Sequence, residues 1–366
     1  MERLRIVFFG PTNSGKSTLV NRLAGQPVSL VSELPGTTTD PVRKPIELPY
    51  GIGPAVLVDT AGLDDAGLLG AERKRLTDAE IDTADVAVVL LTDPVTPETT
   101  ALLQALEQAD VPALRIPARS DIEPDALLRQ IAAILPSEEQ RFLTGDLVRA
   151  GDTVLLVMPQ DSEAPQGRLI LPQVQVIREL LDRGCTPLCC TPDSLQAALA
   201  SLKALPALTI TDASVFRAVN EALPPEAPLT AFSVLLAAAK GDIRTFVEGA
   251  RAIDRLTPRS SVLIAEACSH VPDTEDIGRE KIPALLRKLA GSLTVDISAG
   301  DHFPQDLSPY DLVVHCGACV ATRSVVRAHT RKALQSGVPV TNYGIALAYL
   351  QGMLERIVIP GLPPRR

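Results

Sequence analysis

Aromatic side chains make up only 3% of this chain, and positive charge is not in excess: the formal net charge is -9. A surface that stacks on bases and neutralises phosphates is therefore not expected, and a nucleic-acid partner is excluded with it. No apolar run reaches the ~18 residues that suggest a membrane span. The opening MERLRIVFFG carries too short an apolar run for a secretory signal. The expectation is a cytoplasmic protein with no membrane partner. Cysteine is scarce, six residues in all, and in a reducing compartment these read as metal ligands or structural thiols rather than disulfides. Repeats and low-complexity segments are also missing, so the architecture has to come from the order of elements.

What is present is a 366-residue chain that is 46% hydrophobic, enough for two or three domains with their own cores. The first third alternates strand-like and helix-like segments: strand Arg5 to Phe9, helix Lys16 to Ala24, strands Ala55 to Asp59 and Val86 to Leu91, helices Pro97 to Ala109 and Pro124 to Leu135. This alternation predicts a parallel sheet with helices on both faces. After the polar break PSEEQRFLTGD, strand Thr153 to Met158, helix Pro172 to Asp182 and a strand near Leu208 to Thr211 form a second αβ unit. Beyond the proline-rich Leu223 to Pro228 come strand Val262 to Ala267, helix Ile282 to Leu289, strand Leu312 to His315 and helix Ser324 to Leu334. The predicted class is α/β in three domains, over 1–140, 146–226 and 229–366.

The segment GPTNSGKS, Gly10 to Ser17, fits G-x-x-x-x-G-K-[ST] without a mismatch, between a strand and a helix. Its glycines let backbone N–H groups turn towards phosphate oxygens, and the helix N-terminus adds a positive dipole end. The predicted phosphate-binding set is Gly10, Asn13, Ser14, Gly15, Lys16, Ser17 and Thr18. Lys16 is expected at the β- and γ-phosphates and Ser17 on Mg²⁺. Further on, VLVDTAG places Asp59 for the metal through water and the Gly62 N–H for the γ-phosphate, while PGTTTD offers a threonine. The domain resembles the Era-like GTPases. That resemblance makes Thr38 the switch threonine, a Mg²⁺ and γ-phosphate ligand. It sets Leu63 where Ras-type GTPases carry a catalytic glutamine. It also matches Asn13 to the loop asparagine that helps hold K⁺ in potassium-activated relatives.

The base-reading motif departs from the family. Relatives carry N-K-x-D after the strand that follows Val111-Pro112; here the place reads ARSD, Ala118 to Asp121. Asp121 remains for the guanine N1 and N2 donors, Arg119 to cover the base, and Ala118 removes the amide contact. The chain then passes to the helix from Pro124 without the usual last strand and its loop. A shortened GTPase sheet with weak guanine selectivity is expected, and a domain that no longer hydrolyses GTP is the bland alternative.

In VVHCGACV, Val313 to Val320, two cysteines stand two residues apart at a strand end, and EACSH, Glu266 to His270, ends a second apolar strand in the same way. Ends of strands in one parallel sheet lie on one edge. Cys268, Cys316 and Cys319 are therefore expected to meet, with His270 and His315 as candidate fourth ligands. Three thiolates and one weaker ligand suit a [4Fe–4S] cluster or a Cys₃His zinc site, and spacing does not separate them. CTPLCC, Cys185 to Cys190, reads as structural thiols, and His302 and His329 read as isolated surface or core residues.

C-x-H followed by H-C-x-x-C behind an Era-like GTPase is similar to one family, the [FeFe]-hydrogenase maturation GTPases. APQGRLILPQVQVIRELLD, Ala164 to Asp182, looks like that family's dimerisation domain. LTAFSVLLAAAKGD, DIGREKIP and PVTNYGIALAY look like its last domain. The resemblance implies an N-terminal P-loop GTPase, a middle αβ dimerisation domain and a C-terminal αβ domain. The last would bind a [4Fe–4S] cluster through Cys268, Cys316 and Cys319. It implies a homodimeric carrier that receives a di-iron precursor from radical-SAM maturases and passes it to apo-hydrogenase. Because γ-phosphate contacts order loops that relax after hydrolysis, nucleotide state is expected to gate partner exchange. The rival reading is a regulatory or degenerate GTPase with a structural zinc site.

Overall fold

The computed structural model describes residues 3–25, 41–64, 70–135, 142–160, 169–267, 276–300, 303–319 and 321–363, the side chains of 70–74 excepted. Thr38, Cys268, His270 and His302 lie outside the described residues. The chain divides into two compact units, Met1–Pro136 and Ser137–Arg366.

The first unit runs β1 (Leu4–Phe9), α1 (Lys16–Ala24), β2 (Val42–Leu48), β3 (Gly53–Asp59), α2 (Gly70–Thr83), β4 (Val86–Leu91), α3 (Pro97–Gln108), β5 (Ala113–Pro117) and α4 (Pro124–Ile134). Its sheet has the order β2-β3-β1-β4-β5. All pairs are parallel except β2 with β3. Strand β1 is apolar from Ile6 to Phe9 because both its faces are covered there. Ile6 and Phe8 pack with Leu19, Val20 and Leu23 of α1 and Leu127 and Ile131 of α4. Val7 and Phe9 pack on the other side with Ile81 of α2 and Leu102 and Leu106 of α3. Phe8 and Phe9 are fully buried, each stabilising the sheet by about 2–3 kcal/mol. Thr96 caps α3 by accepting from the Thr99 N–H, and Pro97 fills the first turn, where a missing N–H is harmless. The α/β layering and the absence of a strand after β5 among the described residues of this unit agree with the shortened sheet expected from sequence.

The second unit holds two four-stranded sheets, in which every strand pair is parallel. The middle one follows β6 (Thr153–Val157), α5 (Leu171–Asp182), β7 (Thr186–Cys190), α6 (Leu195–Ala200), β8 (Leu208–Thr211), α7 (Phe216–Ala222), β9 (Leu229–Ala231) and α8 (Phe232–Lys240), in the order β7-β6-β8-β9. The break at Leu223 to Pro228 falls inside this sheet, because β9 pairs with β8 beyond it.

The last sheet follows α9 (Ile243–Ala250), β10 (Ser261–Glu266), α10 (Ile282–Ala290), β11 (Thr294–Ala299), β12 (Leu312–His315), α11 (Arg323–Gln335), β13 (Val340–Asn342) and α12 (Tyr343–Leu350), in the order β11-β10-β12-β13. Helix α8 joins the two sheets. Phe232 and Leu235 pack with Val154 and Leu156 of β6, and Val234 and Ala237 belong to a core that runs on to Val262, Leu312 and Val313.

Candidate functional site

At the end of β1 the chain turns through Gly10–Ser17 into α1. Gly10 and Gly15 hold φ of 153° and 99°, open to glycine and strained for other residues. A Cβ on Gly10 would stand 3.0 Å from Leu90 O and from Ser14 Oγ. Helix α1 has Gly15 as N-cap and no side-chain cap, which leaves its first-turn N–H groups for an anion. Ser14 Oγ and Thr12 Oγ1 are buried with no hydrogen-bond partner among the described residues. Buried polar atoms of this kind are costly unless a ligand satisfies them.

Lys16, buried, donates from Nζ to Gly10 O and Pro11 O, each at 2.9 Å. Ser17 Oγ donates to Asp59 Oδ2 at 2.6 Å, so the two predicted Mg²⁺ groups already touch. The DTAG segment lies on the loop. Leu63 N donates to Gly10 O at 3.2 Å, and Thr12 N donates to Asp64 Oδ1 at 2.5 Å. A Cβ on Gly62 would meet Thr12 Oγ1 at 2.1 Å, so only glycine permits this approach. Burial is the largest influence and works to raise the Asp64 carboxyl, but the Thr12 N–H bond, the remaining hydrogen bonds and the Lys16 charge together outweigh it and hold the group below its ordinary value. Leu63 is buried in the core with Val7 and Phe9 and orients nothing polar.

Ala118 to Asp121 follows β5. Ala118 N donates to Leu91 O at 2.7 Å and Arg119 N to Ser14 O at 2.7 Å. Arg119, at φ 55°, also donates from Nε to Asn13 O at 3.3 Å. Backbone contacts thus lay the damaged motif against the phosphate loop. The Asp121 side chain is 97% exposed and pairs with Arg22 at 3.1 Å, a contact worth little in solvent.

The second constellation lies at the ends of β10 and β12, which are neighbours in register, Ala265 beside His315. Cys316 N donates to Ala265 O at 2.8 Å, and Cys316 Sγ accepts from Ala267 N at 3.1 Å and Ala318 N at 3.4 Å. Cys316 O accepts from Asn342 Nδ2 at 2.9 Å. Cys316 is therefore buried and fixed, whereas Cys319 is half-buried past a turn in which Ala318 takes φ 51°. Lys240 Nζ donates to the carbonyls of Ala318 and Ala321, the latter at 2.8 Å. Beside this turn Glu266, buried, pairs with Arg279 at 2.9 Å. The Tyr343 hydroxyl is buried and has no partner among the described residues. Burial first, then the neighbouring Cys316 and Glu266, pushes its ionisation well up. N–H donors aimed at a sulfur, an open turn at Gly317 and a second thiol two residues on are a donor set that fits soft-metal chemistry.

Three family models divide the chain between them. A 50S ribosome-binding GTPase model matches residues 5–117. The hydrogen maturase F dimerization domain matches residues 143–241, and its tetramerization domain residues 244–360. The chain belongs to the hydrogen maturase F family. Its N-terminal segment is of the GTPase type, and its other two domains are those of hydrogen maturase F.

Among curated proteins it is similar to the tRNA modification GTPase MnmE of Acidiphilium cryptum, 44% identical over 130 residues, 33% of this chain and 27% of that one. It is also similar to MnmE of Nitrosospira multiformis, 43% identical over 121 residues, 31% of this chain and 25% of that one. The chain thus spans about a quarter of the length of these relatives. Among solved structures, Era in complex with MgGDPNP and 16S ribosomal RNA nucleotides gives a TM-score of 0.32 at 17% identity, over 52% of this chain and 94% of that one. Aquifex aeolicus Era bound to GDP.AlF4- gives 0.28 at 15% identity, over 82% and 95%. Likenesses this weak carry no functional information.

In this hydrogen maturase F chain the histidines depart from expectation. His329 is not isolated: its Nδ1 lies 3.0 Å from His315 Nε2, and its ring stacks on Phe303 at 3.9 Å. Burial first, then His315 and Lys332, pushes the His329 pKa down to about 3, so its ring is neutral. His315 Nδ1 lies 3.0 Å from Cys316 O. A carbonyl only accepts, so that nitrogen carries a proton, and Nε2 shares a hydrogen bond with His329. Both ring nitrogens of His315 have partners within the fold, and the residue is fully buried.

The other cysteines divide. Cys185 is buried and its thiol donates to Arg149 O at 3.2 Å, but Cys189 is exposed on β7. Sequence reasoning missed Asp64, Lys240, Asn342 and Tyr343. Only Lys240 leaves a trace in sequence, as a charge closing the apolar run VLLAAAK.

Proposed function

We propose that this chain is an iron–sulfur scaffold of [FeFe]-hydrogenase maturation whose GTPase domain gates partner exchange. Cys316, Cys319 and Cys268 would hold a [4Fe–4S] cluster. The observation that carries the reading is the bond from Ala267 N to Cys316 Sγ. It ties the end of β10 to the thiol at the end of β12, and Cys268 is the next residue of the chain. When bound through three thiolates, such a cluster supplies one iron open to a bridging ligand. Asn342 and the Ala267 and Ala318 amides fix Cys316, and Glu266 with Arg279 walls the same strand end. The fourth position falls to His315 or His270, to another residue, or to an exogenous ligand. The cargo is a di-iron precursor delivered by radical-SAM maturases and passed to apo-hydrogenase.

Anaerobic reconstitution tests this. Wild type is expected to bind iron and sulfide and give a cluster EPR signal, and C316A to lose most of both. A colourless wild type that retains zinc would sink the scaffold reading and favour the structural zinc alternative.

On the GTPase side, Lys16 and the loop amides would bind phosphates, and Ser17, Thr38 and Asp59 would serve Mg²⁺. Leu63 is a core residue, so water activation falls to another device, and K⁺ held with Asn13 is the reading adopted. Equal phosphate release in K⁺ and Na⁺ buffers would remove it. Self-association is supported by the two family models over 143–360 and by an exposed apolar row on α5, Leu171, Val174 and Leu181.

A further inference from the structure

Lys240 ends a largely apolar helix, α8, and is only 6% exposed. An ammonium in that position is unfavourable unless its donors are satisfied. It reaches 78 and 81 residues along the chain to the carbonyls of Ala318 and Ala321. Those carbonyls stand on either side of Cys319. Between the two thiols Ala318 is held at φ 51°, a region that residues with a Cβ rarely adopt. Among the described residues a Cβ on Gly317 would meet nothing within 4 Å. Lys240 fastens the side of the turn that carries Cys319.

We infer that Lys240 is a positioning residue for the thiol centre, holding the Ala318–Ala321 turn in shape in the metal-free chain and offsetting the negative charge of the loaded site. The inference rests on the reading of Cys316 and Cys319 as cluster ligands. Three thiolates outweigh the charge of an oxidised four-iron core, and reduction adds one more negative charge. A buried cation beside such a site favours the reduced form. A lysine that merely staples α8 to the turn would affect stability alone and leave the potential unmoved.

The full chain is compared as wild type, K240M and K240R. In the metal-free state, hydrogen exchange is followed over 316–323, with β1 and α1 as the internal control. After anaerobic reconstitution, iron and sulfide per chain and the midpoint potential are measured by EPR-monitored titration. K240M is expected to exchange about tenfold faster over that segment, the loss of charge-assisted hydrogen bonds. Its cluster should be harder to reduce, with a potential more negative than wild type. K240R keeps the charge and is expected to keep the wild-type potential.

K240M indistinguishable from wild type in exchange and potential overturns the inference. K240R shifted as far as K240M overturns the role of charge. Wild type that takes up no iron and sulfide overturns the cluster reading itself, and shows it before any variant is compared. Should K240M not fold, K240Q replaces it with the same outcomes.

Discussion

At Ala118 the side chain stops at Cβ, so the amide expected there from the resemblance to Era-like GTPases is missing. Ala118 N still bonds to Leu91 O, and Arg119 N to Ser14 O. The scaffold for an amide is thus in place, and A118N is expected to tighten GTP binding by about tenfold, the worth of one recovered hydrogen bond to a buried partner. Titration calorimetry with GTP and ATP checks this; an unchanged GTP affinity would show that the loop is no base site. The same scale governs the thiols. Cys316 is legible in sequence as a candidate ligand because its spacing from Cys319 is local. The donors that hold it, Ala267 and Asn342, come from 49 and 26 residues away, and no local pattern announces them. His329 was misread for the same reason: nothing near it in sequence points to His315 or Phe303.

Between elements, the link from the phosphate loop to the DTAG segment is a carboxylate on a backbone N–H, Asp64 on Thr12. The Asp64 pKa is lowered in the fold from an ordinary 3.8. A depressed folded pKa contributes stability above the ordinary value, which fades as pH falls through the folded one. Unfolding followed by circular dichroism should therefore show the difference between wild type and D64N shrinking below about pH 4. A pH-independent difference would mean that the bond is not formed.

Element prediction succeeded where runs are clearly bounded: β4, β8, β12 and α1 lie where their patterns put them. It passed over β2, whose VRKPIEL alternates on a sheet edge and carries a proline. It also passed over β13, three residues long, and α12, YGIALAYL, which is apolar all round and has no helical stripe to detect.

Across the whole molecule, self-association is the testable property. Val174 and Leu181 on α5 are 47% and 49% exposed, so a charge there leaves the monomer fold within about 0.5 kcal/mol of wild type. The double variant V174E/L181E is expected to lower the mass seen by light scattering while circular dichroism stays the same. An unchanged mass would move the interface elsewhere. Among the described residues no helix is long and apolar enough to cross a membrane.

What the sequence determined by itself was whatever lies within one short stretch. The phosphate loop needs its glycines and lysine at fixed spacing, the alternation of strands and helices sets a parallel α/β plan, and the thiol pair brackets a tight turn. Tertiary structure alone decided which groups meet across tens of residues: Thr12 with Gly62 and Asp64, Ala267 with Cys316, His329 with His315, Lys240 with the turn around Cys319. The reason is physical. Local periodicity fixes which face of an element is apolar, but the partner of a buried polar atom is chosen only when sheets and helices close and every such atom must be satisfied.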